Sequence, residues 1–207
     1  NDEGQFTLAD AKTLDKTFAS KKAAKKALKV VHESLFELHS TLIAEKKQGL
    51  LVVFQAMDAA GKDSTIREVF RGMNPLGLSI HSFQKPSKTE LAHDYLWRLQ
   101  QRLPQRGQIG VFNRSHYEET LIVRVFPELL KYQNLPKQRP LETEMNLRYQ
   151  SIRDFERHLY ENGFPVIKFF LNVGLDAQKY RLMRRINDPE RHWKHDSGDM
   201  KMRSNWS

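Results

Sequence analysis

The side chains best placed to do chemistry are Asp58, Lys62 and Asp63, gathered in Ala56-Met57-Asp58-Ala59-Ala60-Gly61-Lys62-Asp63. A lysine behind a loop of small residues is an arrangement that holds phosphate. The backbone N–H groups of Ala59, Ala60, Gly61, Lys62, Asp63 and Ser64 can turn inward on one anion while the lysine reaches its outer oxygens. The usual pattern G-x-x-x-x-G-K-[ST] would need glycine at position 56 and serine or threonine at 63, and this chain has Ala56 and Asp63. Both departures bear on the chemistry. Carboxylates at Asp58 and Asp63 would repel phosphate oxygens at that range unless a cation lay between them, which implies a divalent ion. Mg²⁺ suits the task, because it is content with one or two carboxylates, several waters and phosphate oxygens. The plain alternative is an ordinary turn in which Asp63 caps a helix and Lys62 is solvated.

A phosphate loop needs a strand before it and a helix after it. The unbroken apolar run 50–54, LLVVF, reads as a strand buried on both faces, and the stretch from Ser64 to Phe70 can continue as a helix. Upstream, 1–20 is a polar arm, and 21–46 has helical periodicity with Ala27, Val30, Val31, Leu35, Leu38 and Leu42 on one side. Downstream, Asn74-Pro75-Leu76-Gly77 is a turn and 78–83 a second strand. Ser87 or Thr89 can cap a helix running to about 103, and 108–113 is a short third strand. The segment 120–126 is apolar with Arg124 embedded, and 133–140 is a loop. A long amphipathic helix over 141–162, a buried strand over 166–173 and a helix over 175–186 follow. The last residues, 187–207, are rich in charge and poor in apolar content, and read as a basic lid.

Strands alternating with helices make a parallel sheet covered on both sides, with ligands at the C-terminal ends of the strands. That rule puts the loop after Phe54, Lys85 and the Asn113-Arg114 pair around one crevice. Phosphoryl transfer is mostly positioning and charge neutralisation, so the cations there matter: Lys62 for the donor phosphates, Lys85 and Arg114 beside them, and Arg181, Arg184 and Arg185 closing over the top. Each cation also has a plainer role. Arg184 or Arg185 can terminate a helix, Lys85 can be a surface lysine and Arg124 can pair with a nearby acid.

Composition sets the outer bounds. With 207 residues the chain can form one domain, residues 1–207, with an N-terminal arm and helix over 1–46 and a lid over 187–207. No membrane-spanning run or signal-peptide core is present, which leads to a cytoplasmic expectation. The absence of cysteine excludes disulfides and thiolate metal sites. His192, His195 and Asp196 come nearest to a zinc spacing and read as a polar loop. A net charge of +9 points to an anionic partner, nucleic acid or polyphosphate. No RNA-binding aromatic pattern, helix-turn-helix or zinc-finger spacing appears.

Four motifs in order then resemble the polyphosphate kinase 2 family. They are the loop Ala56 to Asp63, Lys85-Pro86-Ser87, Phe112-Asn113-Arg114-Ser115-His116-Tyr117-Glu118 and Asp188-Pro189-Glu190-Arg191-His192-Trp193-Lys194. The resemblance implies a three-layer αβα P-loop kinase fold of the thymidylate-kinase type. It implies Mg²⁺-dependent, reversible transfer of the terminal phosphate of inorganic polyphosphate to nucleoside mono- or diphosphates. Carried over, Asp58 serves metal and phosphate, Lys62 is the loop lysine, Arg114 is the arginine of the third motif, and Lys85, Arg124 and Arg185 meet phosphate. Many members have Asp-Arg-Ser-Trp-Tyr-Asn-Arg where this chain has Asn113 to Glu119, so an amide replaces one metal-binding carboxylate and Glu119 replaces an arginine. Glu118 is then the compensating metal carboxylate. This version resembles the subgroup that accepts AMP as well as ADP. Members usually continue past the lid, so a C-terminus cut short or disordered is the corresponding expectation here, and a homo-oligomer, dimer or tetramer, is expected, with the helix over 141–162 as a contact. Nucleic acid and membrane are not expected partners. Two other readings stay open: an ATP-dependent nucleoside monophosphate kinase, and a non-catalytic basic protein that binds nucleic acid.

Overall fold

The computed structural model describes residues 11–13 and 17–194, so much of the N-terminal arm and the lid beyond 194, with His195 and Asp196, lie outside the described residues. Four parallel strands form the sheet: β1 (Leu50–Gln55), β2 (Leu78–Ser82), β3 (Ile109–Asn113) and β4 (Val166–Phe170), in the order β2-β3-β1-β4. The register aligns their C-terminal ends. Phe54 lies beside Asn113, Asn113 beside Ser82, and Gln55 beside Phe170.

β1 holds the centre because its side chains find apolar partners on both faces. Val52 and Phe54 join Ile66, Phe70, Met73, Ile109 and Val111 on one side, while Leu51 and Val53 join Leu99, Phe112 and Leu159 on the other. Each such side chain contributes roughly 1.5–3 kcal/mol by leaving water, so a one-residue slip of β1 would exchange its two faces and break both clusters. The helices α2 (Lys62–Val69) and α1 (Lys21–Glu45) pack on the first cluster, and α6 (Leu141–Glu161) supplies Leu159 to the second. Among the described residues, no helix is long and apolar enough to cross a membrane.

Several elements differ from the sequence expectation, each for a physical reason. α1 starts where Ser20 Oγ accepts from the Ala23 amide, but it does not bury the expected side: Val30, Val31 and Leu38 are exposed. Only its C-terminal half touches the sheet, through Leu35, Phe36 and Leu42, with buried His39 bonding the Gly77 carbonyl at 2.9 Å. A side chain at Gly77 would collide with Ile43 and His39, so glycine there permits the approach.

The helix expected from Ser87 to about 103 is two short pieces, α3 (Lys88–Leu91) and α4 (Trp97–Gln100). Ser87 and Glu90 form a reciprocal capping box, and Asp94 then breaks the run by accepting from the Leu96 amide at 2.9 Å. The apolar segment around Arg124 is helix α5 (Glu118–Val125), followed by a 3₁₀ turn over Pro127–Gln133. β4 is shorter than expected and not buried. It is one of the two edge strands of the described sheet, with Ile167, Phe169 and Phe170 each nearly half exposed, because an apolar run does not reveal whether a strand has one neighbour or two. Helix α7 (Leu175–Asn187) and a 3₁₀ turn, Pro189–Lys194, complete the described chain.

Candidate active site

The loop over 56–61 leaves β1 and turns into α2 through two left-handed residues, Ala59 with φ 59° and Gly61 with φ 101°. Lys62 is the first residue of α2 and only 8 % exposed. Its ammonium folds back into the loop, donating to the Ala56 carbonyl at 2.9 Å and leaning on that of Met57 at 3.5 Å. Burial, and then the Arg114 guanidinium, push the Lys62 pKa below its ordinary value, while Asp58, Glu118 and Asp63 oppose that shift. These charges therefore share one electrostatic locus at the C-terminal end of the sheet.

The third motif meets the loop across the sheet. Arg114 stands in the left-handed region with φ 66°, its amide donating to Phe54 O at 3.0 Å and its guanidinium to Asp58 at 2.7 Å. Asn113 Nδ2 donates to Asp63 at 2.9 Å and to Ser82 Oγ at 3.2 Å. Glu118 opens α5 and accepts from Gln55 Nε2 at 2.6 Å, and Gln55 Oε1 accepts from Ser115 Oγ at 3.4 Å. Ser64 turns its hydroxyl onto the Gly61 carbonyl at 2.8 Å.

From the other side α7 secures the loop by its carbonyls. Gln178 donates to Asp58 O at 3.0 Å, and Arg181 donates to Ala59 O at 3.1 Å and Ala60 O at 2.7 Å. Within the loop itself the Ala60 amide donates to the Met57 carbonyl at 3.3 Å.

The structure thus brings together Asp58, Ala59, Ala60, Gly61, Lys62, Asp63, Ser64, Asn113, Arg114 and Glu118. Lys85 is exposed on the rim past β2, three residues beyond Ser82, and pairs with no acid among the described residues. Arg185 follows Arg181 by one helical turn on α7. Arg184 lies 3.9 Å from Asp188 at the surface, and Arg124 pairs with Glu142 at 3.0 Å, half exposed, so both occupy plainer positions. His192 bonds the Ile186 carbonyl at 2.7 Å. Sequence reasoning missed Gln55 and Gln178, and it placed Arg181 over the substrate, whereas it grips the loop itself.

The donor set fits a hard cation. Among the described residues no three His, Cys, Asp or Glu side chains cluster as a protein-only metal site. Mg²⁺ does not need such a cluster, since it takes one or two carboxylates and fills its shell with water and phosphate. Asp58 and Glu118 supply carboxylates, and the Oδ1 atom of Asn113, whose amide nitrogen bonds Asp63, is buried without a partner, which suits a bound ion or its water. Asp58 is held by Arg114 and Glu118 by Gln55, so neither carboxylate stands bare. The Asp58–Arg114 pair is partly exposed and worth about 1 kcal/mol or less, weak enough for a phosphate to claim the guanidinium.

Comparison with known proteins agrees with this geometry. The family model described as Polyphosphate kinase 2 (PPK2) matches residues 18–207. The chain is 45 % identical over 194 residues to the ADP-polyphosphate phosphotransferase of Rhodopseudomonas palustris, an alignment covering 93 % of this chain and 67 % of that protein. It is 46 % identical over 186 residues to the AMP/ADP-polyphosphate phosphotransferase of Meiothermus ruber, covering 90 % of this chain and 66 % of that one. The chain spans about two thirds of the length of these curated relatives. Its fold superposes on the crystal structure of Polyphosphate Kinase 2 from Arthrobacter aurescens TC1 with TM-score 0.87 at 35 % identity, over 98 % of this chain and 70 % of that one. A parallel α/β sheet with this charged loop at its C-terminal edge, matched over nearly its full length, belongs to the polyphosphate kinase 2 family.

Proposed function

We propose that this chain transfers the terminal phosphate of inorganic polyphosphate to nucleoside mono- and diphosphates, AMP and ADP or GMP and GDP, reversibly and with Mg²⁺. The observation that carries this reading is the buried Lys62 ammonium, held by two loop carbonyls and ringed by Asp58, Asp63, Glu118 and Arg114. Such a centre is ready for a polyanion, whose oxygens can replace weak carbonyl partners without any movement of the backbone.

A terminal phosphate oxygen of the nucleotide forms a bond to the end phosphorus of polyphosphate. The bridging P–O bond behind that phosphorus breaks, and the electron pair leaves on a polyphosphate shorter by one unit. Lys62 and the loop amides hold the donor, and Arg114 follows the charge as it moves to the leaving oxygen. Asp58, Glu118 and Asn113 Oδ1 would hold the metal, directly or through water. Mg²⁺ supplies neutralisation between phosphate oxygens and carboxylates.

The name of the Meiothermus ruber relative includes both AMP and ADP, which supports both as acceptors here. The same proposal includes a homo-oligomer, dimer or tetramer, with α6 as a contact, and a cytoplasmic location.

Purified protein mixed with Mg²⁺, long-chain polyphosphate and ADP or AMP, with no other donor, should yield ATP from ADP and ADP from AMP. No product under those conditions would end the proposal. Replacing Glu118 with Asn should lower use of AMP more than of ADP, measured as kcat/KM for each. Equal losses would remove Glu118 as the group that extends the acceptor range.

A further inference from the structure

Outside the loop and its arginines lies a polar cluster that the transfer reaction does not use. Glu156 of α6 accepts through Oε1 from Tyr117 Oη at 2.8 Å and from His116 Nε2 at 3.2 Å, and through Oε2 from Lys168 Nζ of β4 at 2.5 Å. Lys168 also donates to Tyr117 Oη at 3.2 Å. His116 is fully buried, with Tyr117 at 4.6 Å and Phe155 at 5.8 Å between ring centroids.

The two residues gripped here stand between Arg114 and Glu118. Both neighbours face the phosphate locus, and Arg114 holds a left-handed backbone that costs a side-chain-bearing residue about 1–2 kcal/mol. Such a conformation persists only when its surroundings fix it. On one flank Gln55 holds Ser115 and Glu118. On the other flank, Glu156 and its partners hold His116 and Tyr117.

We infer that Glu156 and Lys168 are positioning residues for the transfer site: through Tyr117 and His116 they fix the turn that aims Arg114 at Asp58 and Glu118 toward Lys62. This inference rests on the proposed reaction for its kinetic readout. The carboxylate suits the task, because one oxygen binds two neighbouring residues of the turn while the other is neutralised by an ammonium from the adjacent strand. Burial alone would raise the Glu156 pKa, but the hydrogen bonds from His116, Lys168 and Tyr117 outweigh it and hold the group below its ordinary value. The carboxylate therefore stays an acceptor.

The test compares Glu156→Gln, Tyr117→Phe and the double variant with the unmodified chain, normalising rates to folded protein. Glu156→Gln keeps the side chain's volume but leaves one acceptor oxygen where the carboxylate offers two, so either Lys168 or the Tyr117–His116 pair meets an amide N–H. We expect kcat to fall about tenfold to a hundredfold for Glu156→Gln, with KM for ADP and for polyphosphate changing by less than about threefold. The double variant should be no slower than the slower single variant, since both act through one turn. Amide hydrogen exchange over residues 113–119 should quicken while β1 and β3 stay protected. If Glu156→Gln folds poorly, Lys168→Met, altered from the half-exposed side, should show the same kcat loss and the same local exchange. Unchanged kcat per folded molecule, or a loss that follows only the folded fraction, would overturn the inference. Should the unmodified chain make no ATP, the proposed reaction fails by itself, and the exchange comparison still decides: unchanged protection over 113–119 sinks the positioning role.

Discussion

Lys62 shows how the loop keeps a charge out of water before any phosphate arrives. Its ammonium is satisfied by carbonyls of its own loop, which limits the desolvation cost that lowers its pKa. Lys62→Met keeps most of the buried volume and removes the charge. Turnover should fall by about a hundredfold to a thousandfold, with the thermal midpoint moving only a few degrees, measured by ATP release and by calorimetry. A variant with near-normal turnover would remove Lys62 from the reaction. Asp58 and Lys62 were legible in the sequence because the motif that carries them is local. Gln55 and Gln178 were not, because their partners lie 63 and 120 positions away, and nothing in a lone glutamine marks which backbone it will meet. Glu119 is a case between the two. It stands out as a departure from the family's arginine, yet only the fold shows it pairing with Arg148 at 2.9 Å.

Elements were legible where periodicity was long or an apolar run was continuous. β1 and α6 fall within a residue of their expected bounds, and α1 ends as expected. The face of α1 and the exposure of β4 were not, since both depend on which neighbours the sheet order provides. Two ionic ties then hold the later elements together, and each has a measurable consequence. Arg148 of α6 is 2 % exposed and bonds Glu119 and Gln133, Glu144 one turn away, and the face of Tyr95 at 4.8 Å. Arg148→Ala leaves Glu119 with Gln133 and Glu144 with Arg139 as remaining partners and should cost about 3 kcal/mol, the low end for breaking a buried pair, read as a lower urea midpoint. A cost below about 1 kcal/mol would mean the cluster is not a structural tie.

The Glu156 tie responds to acid. Against the upward push of burial, its carboxyl is held down to about 2 from an ordinary 4.5 by His116, Lys168 and Tyr117. Because the folded pKa is the lower one, the stability it contributes is complete above about pH 4.5 and drains away as pH falls toward 2, amounting to about 3 kcal/mol at most. Urea unfolding of the unmodified chain at pH 5 and at pH 3 should show this loss. Glu156→Gln should flatten the difference, and an equally steep variant would place the acid sensitivity elsewhere.

The molecule as a whole carries a net charge of +9, with exposed Lys21, Lys22, Lys25, Lys26 and Lys29 along the start of α1. A field of that sign raises the local concentration of a long polyanion more than that of a nucleotide, and salt screens it over about 8–10 Å. Raising KCl from 50 to 300 mM, roughly the range over which that screening tightens, should increase KM for long-chain polyphosphate severalfold and KM for ADP much less. Equal responses would show that the net charge plays no part in capture. An anionic partner was the expectation from composition, whereas the gathering of Asp58, Lys62 and Arg114 at one end of the sheet came from the strand register and from turns such as the one at Arg114.

The left-handed backbone at Arg114 carries a consequence for descent. Glycine would sit there without steric penalty, so under the proposed reaction it is the demand for a guanidinium that keeps a bulky residue in that shape. A duplicated copy relieved of moving phosphate should drift to glycine at this position early, leaving a visible mark of abandoned chemistry while the rest of the framework still looks intact.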